Sequence, residues 1–138
     1  MILSDVMEEI AARVRTVPGL EGRTFAYPPP QIPGGVAGIV SYPERVDYDK
    51  TYGRGMDSIV GLPILIVVGQ ATDRGARDRV AQYAAGSGAH SVKAIVEADP
   101  HTAFDDLRVT SCQFDVVTIA AIDYISALFL VDIAGQGA

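Results

Sequence analysis

The stretch from Ile59 to Val68 constrains the fold most, because it is apolar at nearly every position. A half-exposed strand alternates apolar and polar side chains, whereas a strand that is apolar on both faces is typical of the middle of a sheet covered on both sides. Pro63 lies inside this stretch and has no amide hydrogen to donate to a neighbouring strand. We therefore expect a central strand with a bulge or an unpaired position near Pro63.

Two further long strands are predicted in the C-terminal third of the chain. Tyr124–Ile133 carries apolar residues on both faces and is expected to be a second central strand. In the stretch 107–118 the apolar positions change phase, and a bulge near Thr110–Ser111 would reconcile the two halves. Shorter strands are expected at 23–27 and at 36–42.

Apolar spacing and capping residues predict three helices. The first runs over 5–16 after Ser4, whose hydroxyl can cap it, and the second runs over 74–85. A third, short helix is expected from Ser91 to Ala98. The apolar stripe of the first helix recurs at spacings of three and four and consists of Leu3, Met7, Ile10, Val14 and Val17.

The order of these elements indicates the fold class. One helix is followed by several strands, two helices and two more strands, whereas a parallel sheet would need strands and helices in strict alternation. The 138 residues fit one domain, and neither an internal repeat nor a linker is visible. We predict an α+β fold with a mainly antiparallel sheet flanked by two or three helices, as a single compact domain over residues 1–138.

The acidic charge argues against nucleic-acid binding. The net charge is −6 and the isoelectric point is about 4.7, whereas binding to phosphates needs clustered lysine and arginine side chains. The densest basic group is Arg74, Arg77 and Arg79, and Asp78 lies among them. We interpret this group as a solvated helix face and predict no direct, sequence-specific nucleic-acid partner.

Membrane insertion and secretion are not predicted either. The N-terminal residues MILSDVMEEI lack the basic region and apolar run of a signal peptide. The apolar stretch 116–134 contains Asp123 and Asp132, each of which costs about 2.5–3.5 kcal/mol in the middle of a bilayer. Cys112 is the only cysteine, so no intrachain disulfide can form. We expect a soluble protein that is made in the cytoplasm.

The sequence shows no motif that carries catalysis or binds a cofactor. It lacks a Walker phosphate loop and the GxGxxG, HExxH and GxSxG patterns. Gly86-Ser87-Gly88 lies between two helices and is interpreted as a linker rather than a phosphate loop. His90 and His101 are interpreted as surface loop residues, and Cys112 as a buried core thiol rather than a nucleophile or zinc ligand. We predict no cofactor, no metal and no enzymatic activity.

The segment from Arg45 to Tyr52 has one charged face. Arg45, Asp47, Asp49 and Thr51 alternate with Val46, Tyr48 and Tyr52, and Gly53-Arg54-Gly55 supports a turn. Asp47 and Asp49 could act as paired carboxylates, but their place beside Arg45 favours simple solvation. The earlier segment 27–35 contains four prolines and could be a docking ligand, although a rigid crossing loop is the preferred interpretation.

A resemblance to a known family spans nearly the whole chain and is strongest over 42–57, which reads YPERVDYDKTYGRGMD. The N-terminal helix, the segment beginning Tyr27-Pro28-Pro29, and the later pieces Gln82-Tyr83, Ser91–Ile95 and Asp123-Tyr124 contribute to it. On these residues the chain resembles the tail terminator proteins of long-tailed actinobacterial phages.

The resemblance implies a small α+β protein that forms a hexameric ring at the end of the tail tube. Such a ring stops tube polymerisation and joins the tube to the head connector or stopper protein, so the expected location is the neck of the virion. The family has no catalytic residues, and therefore none is carried over. Tube subunits and connector stoppers are close alternatives within this reading.

A projecting loop between Arg45 and Asp57 is the predicted contact surface of the ring. Aromatic residues beside a charged rim are common where protein surfaces meet, and two glycines would hold Arg54 outward. The residues expected in the oligomer or partner interface are Arg45, Asp47, Asp49, Tyr52, Arg54 and Asp57. The alternative is a small ligand-binding protein or enzyme with a pocket beside Tyr48, Tyr52 and Asp49.

Overall fold

A sheet of six strands carries three helices in the computed structural model, which describes residues 1–21, 24–26, 36–48, 55–70, 72, 74–98 and 101–136. The elements in chain order are α1 (Leu3–Val14), β1 (Thr24–Phe25), β2 (Ala37–Val40), β3 (Arg45–Asp47), β4 (Met56–Gln70), α2 (Arg74–Tyr83), α3 (Val92–Glu97), β5 (Asp106–Ile119) and β6 (Ile122–Gln136). The α+β class is confirmed. The proline-rich stretch 27–35 lies outside the described residues.

The strands are arranged in the order β1-β2-β4-β6-β5, and β3 pairs with the first residues of β4. All neighbours are antiparallel except β1 and β2, which run parallel. Both strands predicted to be central, β4 and β6, have a neighbour on each side. The mainly antiparallel sheet is therefore confirmed, and among the described strands β5 forms one edge while β1 and β3 form the other.

All three helices pack on one face of the sheet, which we call the helix face. The predicted stripe of α1 forms much of the core there, since Met7, Ile10, Val14 and Val17 are buried and Leu3 packs against them. The helix begins at Leu3 with Ile2 at its N-cap, so the predicted start after Ser4 was wrong by two residues. The predicted cap of α3 is confirmed, because Ser91 Oγ accepts the Ala94 N–H at 3.1 Å.

The opposite face of the sheet carries no helix among the described residues. A small cluster of Ala37, Ile39, Val67 and Tyr124 is buried there by neighbouring strand residues. Pro63, Leu65, Leu128 and Leu130 on the same face are only half-buried. The expectation that the central strands are covered on both sides was therefore wrong for the described part of the chain: apolar residues occupy both faces, but helices cover one.

Both predicted irregularities are present, and they lie beside each other. The register of β4 against β6 shifts between Ile59 and Leu62, just before Pro63, and Gly61 adopts a φ of +69°. The register of β5 against β6 shifts between Val109 and Ser111. The two bulges flank β6 at nearly the same level, and a bulge bends the strand that carries it.

A two-residue turn joins β5 to β6. Ala120 and Ala121 have φ values of 51° and 65°. Positive φ at both central positions fits a type I′ turn, the geometry that suits the twist of two paired strands. The long hairpin formed by β5 and β6 continues past the helices, which leaves its distal part exposed.

Candidate assembly surfaces

The predicted contact segment forms a short hairpin arm in its described part. Arg45 and Asp47 lie in β3 opposite Val60 and Ser58 of β4, on the face without helices. Arg45 Nε lies 3.2 Å from Asp47 Oδ1, and Arg45 Nη1 lies 3.8 Å from a Glu44 carboxylate oxygen. These exposed charges neutralise one another locally, and pairs of this kind contribute little to stability.

Four other predicted residues of this segment have different outcomes. Asp57 belongs to β4 rather than to a projecting loop and is only 9% exposed, with Gly135 opposite it in β6. Its predicted place in an exposed loop was therefore wrong. Asp49, Tyr52 and Arg54 lie outside the described residues, so their roles in an interface stay predictions.

Two tyrosines beside β3 are strongly exposed. Tyr42 is 77% exposed and Tyr48 is 74% exposed, while Val46 between them packs against the core on the helix face. A depression of about 310 Å³ adjoins Tyr42 and the start of α1, but Tyr48 does not line it. The proposed ligand pocket beside Tyr48 and Tyr52 stays a prediction, since Tyr52 is not described.

A second exposed surface lies on the distal part of β5, on the face that also carries Cys112, which was predicted to be buried. Phe114 is 60% exposed and Val116 is 52% exposed. Their side chains point to the helix face, but α3 packs on the first part of β5 and α2 packs on β4 and β6. The alternation of apolar residues was predicted correctly. Their burial was predicted wrongly, because no described helix lies over them.

A groove of about 600 Å³ runs between α2 and this part of β5. Phe114, Val116 and Ile125 supply an apolar side, and Arg74 and Arg77 of α2 supply a basic one. Both arginines are exposed, as predicted for a solvated face, and among the described residues neither forms an ion pair. The groove therefore combines apolar surface with two arginines, and one carboxylate, that of Asp115, also lines it.

The backbone amides of β5 show which positions face outward. Val109 N–H donates to Glu97 Oε2 at 2.9 Å, and Val116 N–H donates to its neighbour Asp115 Oδ1 at 2.7 Å. In an antiparallel strand, amides point alternately toward and away from the paired strand. Because the Val116 amide points away from β6, the same phase places the Phe114 and Thr118 amides on the outer edge. No described group accepts a hydrogen bond from either.

Cys112 lies in β5 on the same face as Phe114. It is half-buried rather than fully buried, so the prediction of a core thiol was only partly right. Burial raises the pKa of its thiol, which lowers the fraction of reactive thiolate. The two histidines lie elsewhere in the sequence. The His101 ring packs on the Phe104 ring, with 4.6 Å between the ring centroids, and His90 is exposed.

Two carboxylates hold the α3–β5 region in place. Glu97 accepts hydrogen bonds from Lys93 Nζ at 2.5 Å and from Val109 N–H at 2.9 Å. Burial alone would raise the pKa of Glu97, but these bonds outweigh it and lower that pKa. The Glu9 carboxylate of α1 likewise accepts the N–H and hydroxyl of Thr102, and its pKa is lowered despite burial.

Within the described residues, no three His, Cys, Asp or Glu side chains cluster as a metal site would require. None of the described helices combines the length and apolar character needed to span a bilayer.

No protein-family model matches the chain, and no curated protein is significantly similar to it in sequence.

Proposed function

We propose that the protein is a structural subunit of a phage tail that assembles into a ring at the end of the tail tube. The ring ends polymerisation of the tube protein and presents a surface to the head connector or stopper protein. The resemblance of the stretch 42–57 to tail terminators suggests this role and a hexameric ring. In this proposal the protein works by assembly in the virion neck and is not an enzyme.

The observation that carries the proposal is the pair of unlike exposed edges on one sheet. One edge carries Tyr42 and Tyr48 beside β3, and the other carries Phe114 and Val116 along β5. Exposed apolar side chains that adjoin one another, as Phe114 and Val116 do along β5, are a feature of contact surfaces. Two different surfaces on opposite sides of a subunit suit head-to-tail contacts, which close into a ring when the rotation between copies allows it.

The proposal is tested with the tail tube protein encoded in the same phage or prophage genome. The tube protein is allowed to polymerise alone and with this protein, and tube lengths are measured by electron microscopy. We expect shorter tubes that carry a ring at one end. A control with the pre-assembled tubes should show end binding without shortening. Unchanged lengths together with bare tube ends would refute the proposal.

A further inference from the structure

The exposed part of β5 has the features of a strand-addition site. The outward amides of Phe114 and Thr118 have no described acceptor, and the Val116 amide is held only by the side chain of the preceding Asp115. Glu97 occupies the amide of Val109, so an added strand is confined to the distal part of β5. Such an edge offers main-chain hydrogen bonds to a second extended segment.

The groove beside this edge restricts what the added segment can be. Its apolar side includes Phe114 and Val116, while Arg74 and Arg77 face it from α2. Asp115 also lines the groove, but one of its carboxylate oxygens accepts the Val116 amide. An incoming strand could place an aromatic side chain and a carboxylate on the helix face. The aromatic side chain would then be buried against the apolar side of the groove, and the carboxylate would pair with an arginine. The complementary chemistry is therefore an extended segment that is both aromatic and acidic.

The chain itself carries such a segment at the opposite edge of the sheet. Val46 lies opposite Ile59 on the helix face, and Glu44 and Tyr48 stand two positions before and after it, the spacing at which residues of an extended segment share a face. Tyr48 is 74% exposed, and the Glu44 side chain is 71% exposed. Among the described residues, no strand pairs with the outer side of β3.

We propose that the distal edge of β5 receives the β3 segment of a second copy of this chain. Tyr48 of one copy then enters the groove against Phe114 of the next, and Glu44 lies near Arg74 or Arg77. This inference rests on the proposed ring function, to which it adds the contact between neighbouring subunits. It makes the six-stranded sheet of each copy continue into the next.

The positions of the two edges along the sheet are consistent with closure. β3 pairs with β4 at residues 58–60, whereas the exposed part of β5 lies at the level of β4 residues 63–70, judged through β6. Joining them staggers successive copies along the strand direction. A sheet that closes on itself needs such a stagger, because its strands tilt relative to the axis.

Cross-linking of two engineered cysteines tests the contact. Tyr48→Cys and Phe114→Cys are introduced together and separately in a Cys112→Ser background, and the proteins are treated with a short bismaleimide. We expect the double variant to give a ladder of linked copies. An equimolar mixture of the two single variants should give linked pairs and nothing larger, and each single variant alone should stay unlinked.

Charge reversal provides a test that does not depend on cysteine. Arg74→Glu with Arg77→Glu should weaken self-association about tenfold or more in sedimentation. Glu44→Arg should weaken it similarly, and mixing the two reversed proteins should restore pairing through the swapped charges. Circular dichroism checks that each variant is folded. Arg79→Glu, on the same helix but outside the groove lining, is the matched control.

The outcomes separate this inference from the function. Capped tubes without the cysteine ladder would refute the β3–β5 contact and leave the ring function standing. A ladder and charge rescue without any effect on tubes would support the contact and refute the tail function. A parent protein that stays monomeric at all concentrations, or single variants that link to themselves, would overturn the inference, and the second result would indicate a two-fold pairing instead.

Discussion

Asp132 Oδ1 accepts the backbone N–H of Gly61 at 3.1 Å, and this bond spans the point where the register of β4 against β6 shifts. A bulge leaves a backbone group without its ladder partner. The carboxylate of Asp132 supplies that partner from the neighbouring strand. An acidic residue within an otherwise apolar strand thus has a structural role at the bulge.

Asp132→Ala is expected to reduce the free energy of unfolding by about 1–2 kcal/mol, because it leaves a part-buried amide without an acceptor. Asp132→Asn keeps a side-chain carbonyl and should lose less than half of that amount. Urea unfolding followed by circular dichroism measures both. Asp105→Ala, at an exposed position just before β5, is the control for loss of a carboxylate. Equal stability of the Asp132→Ala variant and the parent would mean that the bond contributes nothing.

Glu97 gives the protein an acid-sensitive contact. Because the pKa of Glu97 is lowered in the folded state, its ionised form stabilises the fold at pH values above the ordinary pKa of this carboxyl, about 4.5. That contribution is lost as the pH falls through the lowered folded-state pKa. In Glu97→Gln the stability should therefore fall less steeply between about pH 5 and pH 3.

The measurement is thermal unfolding of both proteins across this pH range. Glu8→Gln, an exposed carboxylate of α1, controls for removal of one negative charge. An unchanged slope in the Glu97→Gln variant would show that the links to Lys93 and Val109 do not depend on the charge.

Cys112 should react slowly with alkylating reagents in the native monomer. Its thiol is half-buried and its pKa is raised by burial, so the thiolate fraction at neutral pH is small. We expect labelling at least tenfold slower than for Ser111→Cys in a Cys112→Ser background, since position 111 is exposed on the same strand. The rate is followed by mass spectrometry. Rapid labelling of Cys112 would contradict the described packing.

The alanine turn between β5 and β6 leaves room for stabilisation. Left-handed backbone costs an L-residue roughly 1–2 kcal/mol, and glycine avoids this cost. Ala121→Gly, alone or with Ala120→Asn, should therefore raise the free energy of unfolding by about 1 kcal/mol. Ala12→Gly, at an exposed position of α1, should lower it by a similar amount. A loss of stability in Ala121→Gly would argue against the type I′ geometry.

Period-two patterning predicted the sheet well, because the alternation of side chains across a strand is a local property of the chain. It located both central strands and, through the change of phase after Val109, the bulge in β5. Pro63 marked the bulge in β4 for an equally local reason, its missing amide hydrogen.

The same patterning could not predict which parts of the sheet the helices cover. Phe114 and Val116 have the alternation of core residues, yet their exposure depends on how far α2 and α3 extend over the sheet. Asp57 shows the reverse error: it was included in the predicted projecting loop, whereas the pairing of β4 with β6 places it in a largely buried position. In both cases the exposure depends on tertiary packing, which the local sequence around the residue does not determine. The exposed Phe114 edge was missed for this reason.

Bulges bend the strands that carry them, so the two adjacent bulges are expected to divide the sheet into panels that meet along a crease at the level of Asp132. One panel carries β3 and the other carries the exposed part of β5. In a cyclic assembly every copy repeats one rotation, about 60° for six copies. If β3 meets β5 between copies, the crease angle enters that rotation once per subunit. The number of copies that closes the ring would then be set inside each subunit, by the backbone at Gly61 and Thr110, as well as at the contact between subunits.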